Sequence, residues 1–232
     1  MSIVKPRSGC PSCGKTLTAP DLIPVFSWLF LRGKCRFCKE RISPRYVLVE
    51  LLCGGLFAAM VFYSPTLSAI PLVLLVFVLV VVSMIDIDTQ EIYDVLLIFG
   101  VAVGVAWVVA GHFFPAAFPY SPGWVDALIG LVAGALPLFL LDKLTLLILK
   151  KDGFGYGDVK LMAMVGIFLG WQLTFMAFFF AFLGGGVFAV VLLARKKVKR
   201  GEYLAFGPFL CAGTLLSLWF GEAVLSAYLG LF

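Results

Sequence analysis

Two acidic residues stand where acidic residues are expensive. Asp86 ends the apolar run LVLLVFVLVVVSMID, and Asp158 follows the glycine-rich stretch GFGYG and opens a second apolar run, DVKLMAMVGIFLG. A carboxylate at the edge of hydrocarbon is strongly disfavoured unless it is solvated, paired or used, so each is a candidate functional group. Two carboxylates that share one proton can activate water: the ionised group takes a proton from the water, and the protonated one polarises a peptide carbonyl. Like charges held close together split the titration of such a pair, which keeps one member neutral. The same two groups could instead hold a coupling cation, as in a transporter, or serve structure alone. Spacing by itself leaves these three readings open.

A second set of reactive residues lies near the N-terminus. The segments GCPSCG and KCRFCK carry two CxxC pairs, Cys10 with Cys13 and Cys35 with Cys38. Two such knuckles at this separation fit a tetrahedral four-thiolate zinc site. Such a site has no open coordination position, so its metal is expected to be structural, and modules of this size are held folded by their metal. The competing reading is two disulfides or a redox pair. It requires an oxidising compartment, which conflicts with the cytoplasmic placement argued next. Cys53 and Cys211 fall within apolar runs and read as small buried thiols. His112 stands alone and is assigned no role.

The elements that must position these groups are membrane spans. The chain is 62% hydrophobic and 13% charged, with a mean hydropathy of +1.07. A soluble domain carries about 25% charged residues. Apolar segments are expected at 46–63, 68–85, 92–111, 125–149, 158–170, 173–194 and within 204–232. Most are long enough to cross about 30 Å of hydrocarbon, and each long one must be helical because lipid offers the backbone no other partner. The 158–170 segment is too short to span upright; it is tilted, extended past Trp171, or re-entrant. No cleavable signal peptide is visible, since the first 45 residues are polar, basic and cysteine-bearing.

All 18 Lys and Arg residues lie before the first span, around the fourth-to-fifth connection (Lys143, Lys150, Lys151, Lys160), or in the RKKVKR loop from Arg195 to Arg200. The alternate loops, at 64–68 and 112–123, contain none. Positive residues stay inside, so the N-terminus, Asp86 and Asp158 are all expected at the cytoplasmic face. The net charge of +5 is then a membrane signature and calls for no nucleic-acid partner.

Gly155 and Gly157 flank Tyr156 directly before Asp158. Glycines there allow unusual backbone angles and the close approach of another chain, which suits a site that binds an extended peptide. Asp86, Asp88, Glu91 and Asp94 crowd the second connection, IDIDTQEIYD. Glu50, in VLVELLCGG, is a further acid in an apolar setting; it could pair with Arg45 or extend toward water.

Taken together, these segments resemble a known family. The stretch CPSCGKTLTAPDLIPVFSWLFLRGKCRFCKERISPRYVLVE resembles the cytoplasmic N-terminal module of bacterial type IV prepilin peptidases. DIDTQEIYD and GYGDVK resemble that family's two aspartate motifs, and AFGPFL its motif near the C-terminus. The resemblance implies a GxGD-type aspartic peptidase of the bacterial inner membrane. It would remove the short basic leader from prepilins and pseudopilins at the cytoplasmic face, and N-methylate the new N-terminus with S-adenosyl-L-methionine. It makes Asp86 and Asp158 the catalytic pair, with Asp94 closing the first motif. Asp88, Glu91 and Asp94 become accessory or substrate-facing groups, and Glu50 a candidate for the substrate or methyl-transfer site. Two departures stand out. Tyr93 occupies the place where the family usually has Pro, and only nine residues precede Cys10, where the family usually has an extra apolar helix. Either the chain starts further upstream than Met1 or it is a shortened member; that piece adjoins the module linked to methylation, so the resemblance carries the peptidase further than the transferase.

The expected architecture is an all-α, polytopic helix bundle of about seven spans with a small N-terminal zinc-binding subdomain. Residues 1–45 form the four-cysteine module and residues 46–232 the membrane peptidase. The expected substrate-binding groups are Gly155, Gly157, Asp94 and Glu50, and the expected metal is Zn2+ on Cys10, Cys13, Cys35 and Cys38. The partners are prepilins or pseudopilins and the lipid bilayer. The alternatives are an ion-coupled transporter and a non-catalytic zinc-dependent assembly factor.

Overall fold

The computed structural model describes residues 9–150, 155–195 and 205–230. The basic residues Lys5, Arg7, Lys151, Lys196, Lys197, Lys199 and Arg200 of the orientation argument lie outside these, as do the first and last residues of the expected final span. Backbone packing divides the chain into two units, Met1–Ala58 and Ala59–Phe232. The division falls within helix α2 (Pro44–Tyr63).

The N-terminal unit is built on two knuckles of matching geometry. In the first, the Gly14 N–H donates to the Cys10 carbonyl (2.8 Å) and the Cys10 N–H to the Lys15 carbonyl (3.0 Å). In the second, Lys39 donates to Cys35 (3.1 Å) and Cys35 to Glu40 (2.8 Å). Gly14 and Lys39 occupy the same place in the two turns and both have left-handed φ, +69° and +60°. Glycine takes that conformation freely, whereas lysine is strained there and is held by the turn. Between the knuckles run a 3₁₀ turn (Ala19–Leu22) and a short helix α1 (Phe26–Phe30).

The second unit is helical because its apolar runs allow nothing else in lipid. It contains α3 (Ala69–Thr89), α4 (Asp94–Phe113), α5 (Trp124–Leu149), α6 (Tyr156–Ala194) and α7 (Gly207–Leu229). With α2, six helices among the described residues are long and apolar enough to cross a membrane, which makes this a multi-pass membrane protein.

Helix α6 runs for 39 residues, which straight would be about 58 Å and twice the hydrocarbon thickness. It is not straight. Gly170 has φ 69° and ψ 178°, a conformation open essentially to glycine alone. The helix reverses there. Gly157 packs against Ile92 at one end of the bundle, and Gly170 lies against Asp126 and Pro122 at the other. From Gly170 the chain returns past Ala177, which faces Gly213, to Gly185, which packs on Phe206 at the start of α7. The segments 156–169 and 171–194 therefore make two separate passages, the first of them short, and the described residues make seven passages in all.

Close backbone approach makes this reversal compact. Gly130 and Gly166 face each other between α5 and the outbound half of α6, and Gly134 meets the Met162 backbone. Small residues at helix crossings are how membrane helices gain packing energy, since lipid is as apolar as the side chains it would replace. Leu72, Leu75, Val76, Val78, Leu79 and Val82 of α3 are buried, as are Leu161, Met162, Met164 and Val165 of α6.

Candidate active site

The α3 helix does not stop at Ile85, where the apolar run ends, but continues to Thr89 and closes on a left-handed Gln90. Asp86 therefore sits inside the last turn instead of in a loop, and its backbone carbonyl accepts the Gln90 N–H (2.9 Å). After a link of only a few residues, Tyr93 precedes α4, whose first residue is Asp94. Tyr93 has extended backbone angles (φ −78°, ψ 125°), so the helix starts cleanly without the proline usual at this place.

Asp158 lies in the first turn of α6, with Gly155 just outside the helix. The Gly155 backbone N–H faces its carboxylate, an arrangement in which an acid near a helix N-terminus satisfies a free donor. The glycines do not act through unusual angles. Gly155 has an ordinary extended backbone (φ −71°, ψ 145°), and neither it nor Gly157 has positive φ. Gly157 is needed for close approach, because a Cβ there would lie 2.9 Å from the Ile92 Cβ. The chain that approaches is this protein's own α3–α4 link.

Asp86 and Asp158 are both buried, exposing 5% and 9% of their surface. They line one cavity of about 270 Å³ with Gln90, Glu91, Ile92, Tyr93, Gly155 and Gly157. They are near enough to interact electrostatically across it. A third element completes the site. The backbone N–H of Gly207, the first residue of α7, donates to Asp86 Oδ2 at 3.0 Å. The C-terminus of α3 and the N-termini of α6 and α7 thus converge on two carboxylates, and both N-termini favour negative charge. One turn into α7, the buried Cys211 thiol lies beside Ser83 and close to the pair.

Two residues tie the motifs together without having been singled out by sequence. Lys160 donates to both oxygens of Asp94 (2.7 and 2.9 Å), linking the start of α6 to the start of α4. Gly207 lies within the AFGPFL motif but bears no chemical group that would mark it; only its N–H matters. Lys160 carried a faint signal, two residues past Asp158 in GYGDVK. Lys143 in turn donates to the Tyr156 hydroxyl (2.8 Å). The Lys160–Asp94 pair is exposed on both sides, so replacing Lys160 with Met is expected to change unfolding free energy by no more than about 1 kcal/mol. If the pair holds the two motifs in register, the same variant loses activity by about tenfold or more, since small misplacements are amplified in the rate. Thermal unfolding and initial rates on one preparation separate the two effects.

The four cysteines come together in the N-terminal unit. Their sulfurs all lie within 4.8 Å of one another, and all are free thiols. Cys10 Sγ and Cys38 Sγ are 3.8 Å apart. A tetrahedron of about 2.3 Å zinc–sulfur bonds has edges of about 3.8 Å, so the donor set fits a four-coordinate zinc. Backbone N–H groups of Cys13 and Ser12 bring the Cys10 thiol down to about 6. The Glu40 backbone favours the Cys38 thiolate too, but burial and the three neighbouring cysteines outweigh it and push that thiol up to about 11. Four thiolates repel one another unless a cation stands among them. The purified protein is expected to hold one zinc per chain at neutral pH and to release it on acidification, as protons compete with the metal for the four thiolates. Elemental analysis across a pH series checks this.

Glu50 belongs to the N-terminal unit, where its Oε2 accepts the Val25 N–H at 2.7 Å. Cys53 is half-buried, in contrast to Cys211.

With this geometry in hand, the comparisons are specific. Residues 1–64 match the model described as the bacterial peptidase A24 N-terminal domain, and residues 72–190 match the type IV leader peptidase family. The chain is 34% identical to a prepilin leader peptidase/N-methyltransferase of Bacillus subtilis, over 99% of this chain and 88% of the relative. It is 36% identical to the protein of that name in Stutzerimonas stutzeri, over 97% and 75%. The corresponding figures for Pseudomonas aeruginosa are 35%, 98% and 76%. No solved structure matches. These matches do not favour a transporter or a non-catalytic assembly factor. The chain belongs to the type IV leader peptidase family.

Proposed function

We propose that this protein removes the leader from type IV prepilins or pseudopilins at the cytoplasmic face of the bacterial inner membrane, with Asp86 and Asp158 as the catalytic pair. The observation that carries this reading is that two carboxylates from distant parts of the chain are buried in one cavity at the ends of α3 and α6. A prepilin's apolar helix enters laterally among the spans, and its leader junction unwinds into the cavity beside Gly155 and Gly157. One ionised aspartate takes a proton from water as the oxygen adds to the scissile carbonyl. The protonated partner hydrogen-bonds the carbonyl oxygen, and a proton then passes to the departing amide nitrogen. Gly207 N–H fixes the rotamer of Asp86 throughout. Glu91 lines the cavity and adds negative charge where a basic leader must lie.

The relatives' names carry a second activity, N-methylation, and we infer it for this chain with S-adenosyl-L-methionine as donor. In the N-terminal unit a cavity of about 490 Å³ is lined by Trp28, Arg32, Gly33, Lys34, Arg41, Ile42, Ser43 and Pro44. Its size suits a nucleoside, but three cations and no carboxylate face it, which does not fit a sulfonium. No step is derived through that cofactor. Zinc on Cys10, Cys13, Cys35 and Cys38 holds the N-terminal unit in shape.

The test is reconstitution in lipid with a full-length prepilin, read by mass spectrometry. Loss of the leader plus one added methylene is the expected product when the methyl donor is supplied. An intact prepilin would sink the peptidase reading, and cleavage without the methyl group would sink the transferase alone.

A further inference from the structure

We propose that the N-terminal unit is seated in the bilayer interface by the apolar segment 22–30, with an anionic phospholipid headgroup held by Arg32, Lys34 and Arg41. This does not rest on the peptidase reading, only on α2 crossing the membrane.

The segment is anchored at two points. The Asp21 side chain is only 2% exposed and accepts from Arg36 Nε at 2.7 Å, while the Thr18 hydroxyl and N–H both donate to it. The Thr18 hydroxyl, aided by Arg36, holds the Asp21 carboxyl below the usual carboxylate range. At the other point the Val25 N–H meets Glu50. Val25 has φ +64°, which a β-branched residue adopts only under constraint. The path of this segment is therefore fixed.

What it presents is apolar. Leu22, Ile23, Phe26, Leu29 and Phe30 are all exposed, Phe30 at 84%. Five large apolar side chains turned outward from a constrained segment are a partner surface in water, but they are at ease in lipid. The depth agrees. Glu50 lies six residues into α2 from Pro44, about 9 Å along the axis. A segment hydrogen-bonded at that level lies beside the lipid-facing start of a membrane span, whose Tyr46, Leu48 and Leu51 are exposed as well. Interfacial helices bury their apolar face about 5–10 Å deep.

Charge agrees too. Arg32, Lys34 and Arg41 line the cavity that ends at Ser43 and Pro44, where α2 begins. Trp28 joins apolar face to cavity: its Nε1 donates to the Ile42 carbonyl at 3.2 Å, and its ring lies on Gly33. Indoles favour the headgroup level, and clustered cations favour anionic headgroups. Cations above, an indole at the boundary and aliphatic and phenyl groups below are the profile of a leaflet.

The experiment uses the full-length protein in nanodiscs. Benzoylphenylalanine placed at residue 30 is expected to give a lipid adduct on irradiation, and the same probe at the exposed residue 39 none. No adduct at 30, or a cross-link from 30 to another part of the chain, overturns the seating. In parallel, native mass spectrometry should show phosphatidylglycerol retained several-fold over phosphatidylcholine. The triple variant Arg32→Gln, Lys34→Gln, Arg41→Gln should lose that preference while keeping one zinc per chain, which shows that the unit still folds. Retention of the preference, or its removal by inorganic phosphate at equal concentration, overturns the headgroup assignment.

Discussion

Asp86→Asn and Asp158→Asn are each expected to reduce leader cleavage by at least about 10²–10⁴-fold, the range supplied by a positioned acid or base. Neither variant should unfold. Asp86→Asn keeps a side-chain oxygen to accept the Gly207 N–H, now held at 3.0 Å by Asp86 Oδ2. Each replacement also removes a buried ionisable group from a site that exposes 5% or 9% of it, and burying an amide is less demanding than burying a charge. Thermal unfolding should therefore stay at or slightly above that of the parent. The two losses should not add: when members of a pair act as one unit, removing either takes most of what removing both takes. A single variant that cleaves a prepilin at the parental rate would remove that residue from the mechanism. Equal residual activity in the single and double variants would support a shared proton.

The second large effect is expected from a residue with no side chain. Gly207→Ala would place a Cβ 2.6 Å from Asp86 Oδ2 and 3.1 Å from its Cγ. Something must move, and the nearest mobile group is the carboxylate. Its hydrogen bond from residue 207 is then disturbed, and the carboxylate shifts within the cavity it shares with Asp158. Displacements of about 1 Å near reacting atoms lower rates by about 10²-fold, so a fall of that order in kcat is expected, with a smaller change in KM. Gly186→Ala serves as the control, because nothing lies within 4 Å of a Cβ there. Wild-type turnover by Gly207→Ala would mean that Asp86 is not held by this contact during catalysis.

Much of this was legible in the chain, for physical reasons. Lipid forces apolar runs into helices, so each expected span corresponds to a helical passage, with ends shifted by a few residues. The short 158–170 segment was recognisable as unusual from its length, and Gly170 proves to be where the chain turns back. Paired CxxC spacing marks four thiols for one ion because each knuckle closes locally, and the sulfurs do converge. The two aspartates were conspicuous because hydrocarbon penalises charge.

Other features depend on contacts between distant segments. Nothing in GYGDVK says that Gly157 is small to admit Ile92 rather than to adopt a rare backbone angle. Nothing in AFGPFL says that one N–H reaches Asp86, or in VLVELL that Glu50 holds the Val25 backbone. Composition and local periodicity, being properties of neighbouring residues, by themselves determined a multi-pass helical protein with a four-thiol module and two costly carboxylates. Which helix ends meet, and so which backbone group orients which acid, was decided only by the tertiary structure, because a hydrogen bond between residues 86 and 207 leaves no trace in either local sequence.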